Sequence, residues 1–265
     1  MILLFIILTS FAQNSNEYIY SSVNRGEVSN NSTIFMRVND VLELTCSEDK
    51  YWVFYNPILK EYNNLTNGAK YLEKIEYTTT LISNKKNNTI VFDNLTPGAY
   101  YIGILSQPES IQFASSDPIH LTHKNIIQVV VRENDSYIGF LTEQLGLPFI
   151  LPPKIIGKYG HQTDLRIGTD CAELAIYGKR RIGYKIPYCG PKRLLNYLNP
   201  TNKLVQGTII HFGYQVSILY EDKGIIGKLD GEDLIIHAFE DEVKIERLGD
   251  TELKNKEFKL YNWKK

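Results

Sequence analysis

The stretch GTDCAELAIYGKRRIG, residues 168–183, decides how the second half of the chain folds. Thr169 or Asp170 is a residue type that favours a helix N-cap, so the stretch predicts a helix from about Asp170 to Arg181. Cys171 then lies in the first turn, where free backbone N–H groups and the helix dipole favour a thiolate. A small buried cysteine also fits such a position. The stretch alone therefore leaves a nucleophile and a structural residue as alternatives.

The sequence around this helix predicts a mixed α and β region over residues 133–265. Shorter helices are expected at about 135–146 and 191–198, from the spacing of apolar residues and from Pro191 at a first-turn position. Alternating patterns then predict a series of antiparallel strands. These strands read GTIIHFG, QVSILYE, DLIIHAF, VKIERL and FKLYNW. Helices followed by such a sheet indicate an α+β domain.

The first half, residues 17–132, has the pattern of short strands separated by turn residues. The predicted strands read TIFMRV, VLELTC, YWVFYN, KIEYTTTLI, TIVFDN, AYYIGIL and IIQVVV. Their regular spacing predicts an all-β sandwich. The piece FDNLTPGAYYIGIL, residues 92–105, resembles the late hairpin of immunoglobulin-like and fibronectin-like domains, where a tyrosine hydroxyl fixes the corner. We therefore expect an immunoglobulin-like sandwich here.

The charge balance and the first residues indicate where the protein acts. With 29 basic and 30 acidic residues the chain has no basic excess for binding nucleic acid. The apolar run from Ile2 to Leu8, followed by Ser10 and Ala12, predicts an export signal within residues 1–16 that is cleaved after Ala12, with a buried strand as the alternative. No segment approaches the roughly 20 apolar residues of a membrane span. We expect an exported monomer in the periplasm, at the cell surface or outside the cell, without stable membrane insertion.

The three cysteines, Cys46, Cys171 and Cys189, cannot all pair within one chain and fit no zinc motif. The acidic residues match no calcium loop. The sequence thus predicts neither a metal nor another cofactor, and at least one free thiol.

Five segments in order resemble the NlpC/P60 family of cysteine peptidases, over roughly residues 135–248. They are LGLPF (145–149), KYG (158–160), GTDCAEL (168–174), GTIIHFGYQVSILYED (207–222) and DLIIHAF (233–239). The resemblance implies a papain-like α+β fold and hydrolysis of amide bonds in the stem peptides of peptidoglycan. The expected fold is therefore an immunoglobulin-like sandwich followed by a papain-like domain.

The resemblance also implies roles for individual residues. Cys171 matches the nucleophile that forms an acyl-thioester, and its backbone N–H is a natural oxyanion donor. His237 matches the polar residue that orients the catalytic histidine, and Tyr159 matches a tyrosine that helps to bind the oxyanion. Gln215 stands where the family has the catalytic histidine. This is a departure from the family pattern, because glutamine accepts no proton at neutral pH.

Three explanations of the glutamine at position 215 remain open. His211 lies about 13 Å from Gln215 in a continuous strand, so it serves as the base only if the chain bulges or turns at Gly213. His237 itself is the base in the second explanation, with Gln215 orienting it. In the third, the site has lost its chemistry and only binds wall peptides. We favour His237 or His211 as the base. Acyl transfer, or hydrolysis of another amide, is a further alternative within the same fold.

The loop YGHQTDLRIGTDC, residues 159–171, is rich in polar groups just before the cysteine. His161, Arg166 and Asp170 are predicted to line a substrate cleft, with Arg166 binding a peptide carboxylate. The alternative is a loop held together by its own hydrogen bonds.

Overall fold

The computed structural model describes residues 17–66 and 72–264, so the predicted export signal at residues 1–16 lies outside the described residues. The first part of the chain consists of strands and one helical turn. In order they are β1 (Tyr20–Val23), β2 (Thr33–Arg37), β3 (Leu42–Pro57), β4 (Tyr62–Asn63), β5 (Ile75–Leu81), β6 (Asn87–Phe92), β7 (Gly98–Leu105), β8 (Gln112–Ser115), α1 (Ile119–Thr122) and β9 (Ile126–Arg132).

One long strand organises this part. The sheet order is β2-β9-β7-β3-β5-β8, and β1 and β6 also pair with β3. The first residues of β3 pair with β1 and β6, whereas residues 51–57 pair with β7 and β5. A register shift between Thr45 and Lys50 marks the change of partners. The predicted strands VLELTC and YWVFYN are thus one continuous strand. At the start of β7, the Tyr100 hydroxyl donates to the Thr96 carbonyl, which is the tyrosine corner contact that the resemblance to immunoglobulin-like domains implied.

The second part of the chain has one helix of substantial length and a sheet. In order its elements are α2 (Tyr137–Leu141), β10 (Ile150–Leu151), β11 (Ile155–Ile156), β12 (Gly160–His161), α3 (Cys171–Arg181), α4 (Pro191–Leu194), β13 (Leu198–Pro200), β14 (Ile209–His211), β15 (Val216–Glu221), β16 (Leu234–Phe239), β17 (Glu242–Arg247) and β18 (Lys259–Trp263). Single 3₁₀ turns follow α2, α4 and β17.

The predicted fold class, an immunoglobulin-like sandwich followed by a papain-like α+β domain, is wrong. The chain is mostly β, with 40% strand and 14% helix spread over several sheets. Two reasons are visible in the elements. The polar residues 47–50, which resemble a turn in sequence, continue inside β3. The helices expected near 135–146 and 191–198 shorten to α2 and α4, each continued by a 3₁₀ turn, so α3 is the one helix of eleven residues in the described chain.

The C-terminal sheet positions the predicted site. Its strand order is β13-β18-β14-β15-β16-β17, and all neighbouring strands run antiparallel. The helix α3 packs on one face of this sheet, where Ile218 and Ile236 belong to the same buried cluster as Cys171. Leu219 and Ile235 belong to a separate cluster on the opposite face. Side chains therefore alternate between the two faces along β15 and β16: even-numbered residues such as Ile218 point toward α3, and odd-numbered residues such as Leu219 point away from it.

The two parts of the chain share buried structure. Tyr55 and Tyr77 from the first part pack in one cluster with Ile150 and Ile167 from the second. A short parallel pairing joins β4 to β10. The predicted ranges 17–132 and 133–265 remain a prediction about domain organisation.

In the described residues, no helix has the length and hydropathy to cross a membrane.

Candidate functional site

Cys171 occupies the first turn of α3, as the sequence predicts. The Asp170 side chain caps the helix by accepting a hydrogen bond of 2.8 Å from the Glu173 backbone N–H. Cys171 is only 5% exposed. Burial raises the pKa of its thiol strongly, and the neighbouring carboxyl of Asp170 adds to this shift. The backbone N–H of Val216 favours the thiolate but does not offset burial, so the thiol is protonated at neutral pH.

His211 lies on the same face of the sheet as Cys171. Ile209 packs in the Cys171 cluster, and side chains two residues apart on a strand share a face. The chain turns at Gly213, whose φ is +90°, so His211 pairs across β14 and β15 with Val216. The turn that the His211 hypothesis requires is therefore present. Both ring nitrogens are engaged elsewhere, with Nε2 3.1 Å from the Pro191 carbonyl oxygen and Nδ1 accepting from the Gly213 N–H at 3.0 Å.

His237 lies on the opposite face of the sheet. Its neighbours Ile236 and Ala238 both pack in the Cys171 cluster, so the strand directs the His237 side chain away from Cys171. The ring is fully buried, and its Nε2 lies 2.7 Å from a carboxylate oxygen of Glu246. Burial lowers the pKa of His237 in spite of the Glu246 carboxylate. His237 is therefore an uncharged residue that pairs with Glu246 on the face of the sheet opposite Cys171.

Gln215, the residue at the expected histidine position, is buried and fixes the end of the sheet. Its side-chain Nε2 donates to the Ala238 carbonyl at 3.0 Å. The Gln215 carbonyl in turn accepts from the Phe212 N–H at 2.9 Å, which closes the turn between β14 and β15. These contacts give Gln215 a structural role and do not join it to a histidine ring.

Two other predicted site residues lie in different surroundings. Tyr159 packs against the cluster shared by the two parts of the chain. Arg166, which has a φ of +54°, is 6% exposed, and its guanidinium lies against Phe35 and within 3.6 Å of the buried Glu143 carboxylate. The Arg166 carbonyl accepts a hydrogen bond from the Tyr101 hydroxyl. Arg166 thus joins the two parts of the chain instead of facing Cys171.

A buried polar cluster surrounds the start of α3. The Thr163 hydroxyl donates to the Glu173 carboxyl at 2.7 Å, and His161 Nδ1 lies 3.6 Å from the same carboxyl. Burial and the adjacent Asp170 charge raise the pKa of Glu173, and burial raises that of Asp170. Burial also lowers the pKa of His161 to about 4. At neutral pH the Glu173 carboxyl is therefore protonated and the His161 ring is neutral, whereas Asp170, with a pKa raised to about 6, remains mostly ionised.

The outer part of this cluster joins the predicted site residue His161 to Tyr188, Asp164 and Arg180, which the sequence did not predict as site residues. The His161 ring stacks on Tyr188 at 4.3 Å between centroids, and the Tyr188 hydroxyl donates to Asp164 at 2.6 Å. Arg180, from the end of α3, also donates to Asp164 at 3.0 Å. Glu173 had one usable sequence signal, because an acid three residues after an Asp N-cap is the pattern of a capping box. Tyr188 had none, since its contact depends on the loop after α3.

A surface groove adjoins His211, and we call it the His211 groove. Its cavity is about 390 Å³, within the range of ligand pockets. The lining residues are Lys192, Leu195, His211, Phe212, Gly213, Glu257, Phe258, Lys259 and Tyr261. The pairing of β14 with β18 places Lys259 opposite His211. Tyr261 meets the His211 ring edge to face at 6.0 Å. The groove thus combines aromatic surface with two exposed lysines and one glutamate.

Comparisons with known proteins do not assign the chain to a family. No protein-family model matches it, and no curated protein or solved structure matches it. The resemblance to NlpC/P60 peptidases therefore stays a prediction. Within the residues that the structure describes, no group of three or more histidine, cysteine and acidic side chains is arranged to hold a metal ion.

Proposed function

We propose that this protein binds short, carboxylate-bearing peptides of the cell-wall stem-peptide class in the His211 groove. The observation that carries the proposal is the make-up of the groove, which is lined by exposed Lys192 and Lys259 together with aromatic residues. Lysines offer point charges for free carboxylates, and the aromatic rings of Phe258 and Tyr261 offer surface for aliphatic side chains. Stem peptides carry both kinds of group.

The state of Cys171 supports binding over hydrolysis. A cysteine nucleophile requires a thiolate and an imidazole within hydrogen-bond reach. Burial keeps the Cys171 thiol protonated, His211 is bonded to Pro191 and Gly213, and His237 is on the other face. In this arrangement the cysteine is a buried residue of the cluster between α3 and the sheet, and it does not line the groove.

The test is calorimetric titration with a synthetic stem tetrapeptide that has free carboxylates, alongside its fully amidated analogue. We expect the double substitution Lys192→Gln/Lys259→Gln to weaken binding of the free peptide by about tenfold, at up to about 1 kcal/mol for each exposed ion pair. The matched control, Lys85→Gln/Lys228→Gln, removes two exposed lysines outside the groove and is expected to leave affinity unchanged. Equal affinity for the amidated peptide, or equal losses in the two double variants, would refute the proposal.

A second candidate is amide hydrolysis by Cys171 with His211 as the base. The observation that favours it is the turn at Gly213, which places His211 on the Cys171 face opposite Val216. Hydrolysis requires the His211 ring to leave Pro191 and the thiol to gain access to water. Mass spectrometry of the same tetrapeptide after incubation with the protein tests this candidate. Cleavage that is lost in both Cys171→Ala and His211→Gln would establish hydrolysis by this pair of residues.

A further inference from the structure

A second cleft lies in the first part of the chain, where β3 and β7 separate. The two strands pair from Tyr51 with Leu105 as far as Phe54 with Ile102, and the pairing stops there. Beyond this point β3 continues to Pro57 with β5 as its partner, and residues 98–101 of β7 pair with β9. A cavity of about 310 Å³ occupies the gap between the two strands.

The strands on the two sides of this cleft each have one open edge. In a β-strand, backbone N–H and C=O groups point alternately to the two neighbouring strands. Residues 55–57 and 98–101 have a paired neighbour on one side only. No turn or loop backbone bond in the described chain reaches either segment. Backbone groups from both strands therefore face the cleft over about three residues, or about 10 Å, and Pro57 contributes a carbonyl acceptor but no N–H donor.

The lining of the cleft is uncharged throughout. It consists of Phe54, Tyr55, Asn56, Pro57, Leu59, Thr96, Pro97, Gly98, Ala99, Tyr100, Tyr101, Leu145 and Gly146. Leu145 closes one end, since its carbonyl lies so near Gly98 that a Cβ there would come within 3.0 Å. Asn56, Leu59 and Thr96 are exposed and leave the mouth accessible. The absence of charge in the lining disfavours an ionic ligand, because a buried charge without a partner is costly.

We propose that this cleft binds an uncharged peptide segment of a partner in extended conformation, as an added strand between β3 and β7. An extended peptide carries alternating backbone donors and acceptors on both of its edges, and these match the open edges on the two sides. Phe54 and Tyr100 provide apolar surface for its side chains. The cleft is separate from the His211 groove, and the proposal does not depend on peptide binding there.

The experiment titrates the full-length protein with an acetylated and amidated pentapeptide of alternating threonine and valine. Its partner probe is the same peptide with alternate amide nitrogens methylated, which removes the backbone donors along one edge. We expect saturable binding of the first peptide by calorimetry, and at least tenfold weaker binding of the methylated peptide. Equal binding of the two peptides, or no binding of the first up to about 5 mM, overturns the proposal.

Matched variants locate the site. Leu59→Glu places a charge at the mouth of the cleft, and Leu65→Glu places one on an exposed leucine outside it. We expect at least a tenfold loss of affinity in the first variant and none in the second. Lys192→Gln/Lys259→Gln is expected to bind the pentapeptide normally, so a failure of one proposal is distinguishable from a failure of the other. A dimer in the absence of peptide that Leu59→Glu dissociates would contradict the partner peptide and assign the cleft to a second copy of this chain.

Discussion

The two faces of the C-terminal sheet differ in the residues they bury and in the size of their clusters. The face covered by α3 buries a large cluster that includes Cys171 and Ile218, and the other buries a smaller one around Leu219. Burial raises the pKa of Cys171 on the first face and lowers that of His237 on the second. Both shifts favour the neutral form. Two groups that would form an ion pair in a cysteine hydrolase are thus each uncharged and separated by a layer of strands.

The difference shows how strand parity decides whether two residues can act together. His237 is one residue away from two side chains of the Cys171 cluster, and this single step places its ring on the far side of the sheet. There it pairs with Glu246 and packs against Phe239. Proximity along the sheet therefore does not imply proximity of side chains.

The largest expected effect is a loss of stability when a large side chain is removed from either face of β15, at two neighbouring residues that point in opposite directions. Ile218 and Leu219 are both fully buried. We expect Ile218→Ala to lower the free energy of unfolding by about 4 kcal/mol and Leu219→Ala by about 2 kcal/mol, because the smaller cluster relaxes more easily around a cavity. Urea unfolding of the two variants measures the difference. An equal or larger loss in Leu219→Ala would show that the two clusters do not differ in this way.

The next effect concerns the partner of His237. Glu246→Ala leaves the buried Nε2 without its acceptor, so we expect a loss of about 1–3 kcal/mol in the free energy of unfolding. Replacing both residues, in His237→Leu/Glu246→Leu, removes the unpaired polar group and should recover most of that loss. Glu240→Ala is the control, since Glu240 is exposed on the same hairpin. A double variant less stable than Glu246→Ala would argue against this explanation.

The smallest expected effect is on the pH dependence of stability, to which Glu173 on one face and His237 on the other contribute in opposite directions. The folded-state pKa of Glu173 is raised, so its stabilising contribution is full below the ordinary value of about 4.3 and is lost as the pH rises through the folded pKa. The folded-state pKa of His237 is lowered, so its contribution is full above about 6.5 and is lost as the pH falls.

Unfolding titrations between about pH 5 and about pH 9 separate the two contributions. Relative to the unsubstituted protein, Glu173→Gln is expected to remove part of the loss of stability at high pH, and His237→Leu part of the loss at low pH. A Glu173→Gln variant that loses as much stability on the alkaline side as the unsubstituted protein would exclude Glu173 as the source.

Local elements of the fold follow from the sequence more directly than its architecture does. The helix Cys171–Arg181 follows from its Asp170 cap, and the turn at Gly213 follows from the glycine between two strand patterns. The continuity of β3 does not follow, because the polar residues 47–50 have the composition of a turn. Their place in a strand depends on β1, β6 and β7, which lie elsewhere in the sequence.

The candidate site was predictable only in part for a similar reason. The segment LIIHAF of β16 is buried on both faces, so it has no alternation from which the direction of His237 can be predicted. The position of Cys171 at a helix start was predictable, but its burial depends on the sheet beneath it. The position of Arg166 against Phe35 and Tyr101 depends on the contact between the two parts of the chain.

Cys171 is a protonated, enclosed thiol that has no histidine partner among the described residues, and its rate of alkylation is a direct test of this state. Native protein is treated with iodoacetamide across a pH series, and the Cys171 peptide is quantified by mass spectrometry. We predict that Cys171 reacts far more slowly than in the urea-unfolded chain at every pH, and equally slowly in His211→Gln and His237→Gln. Rapid alkylation of Cys171 well below pH 8.5, lost on substitution of either histidine, would contradict the account.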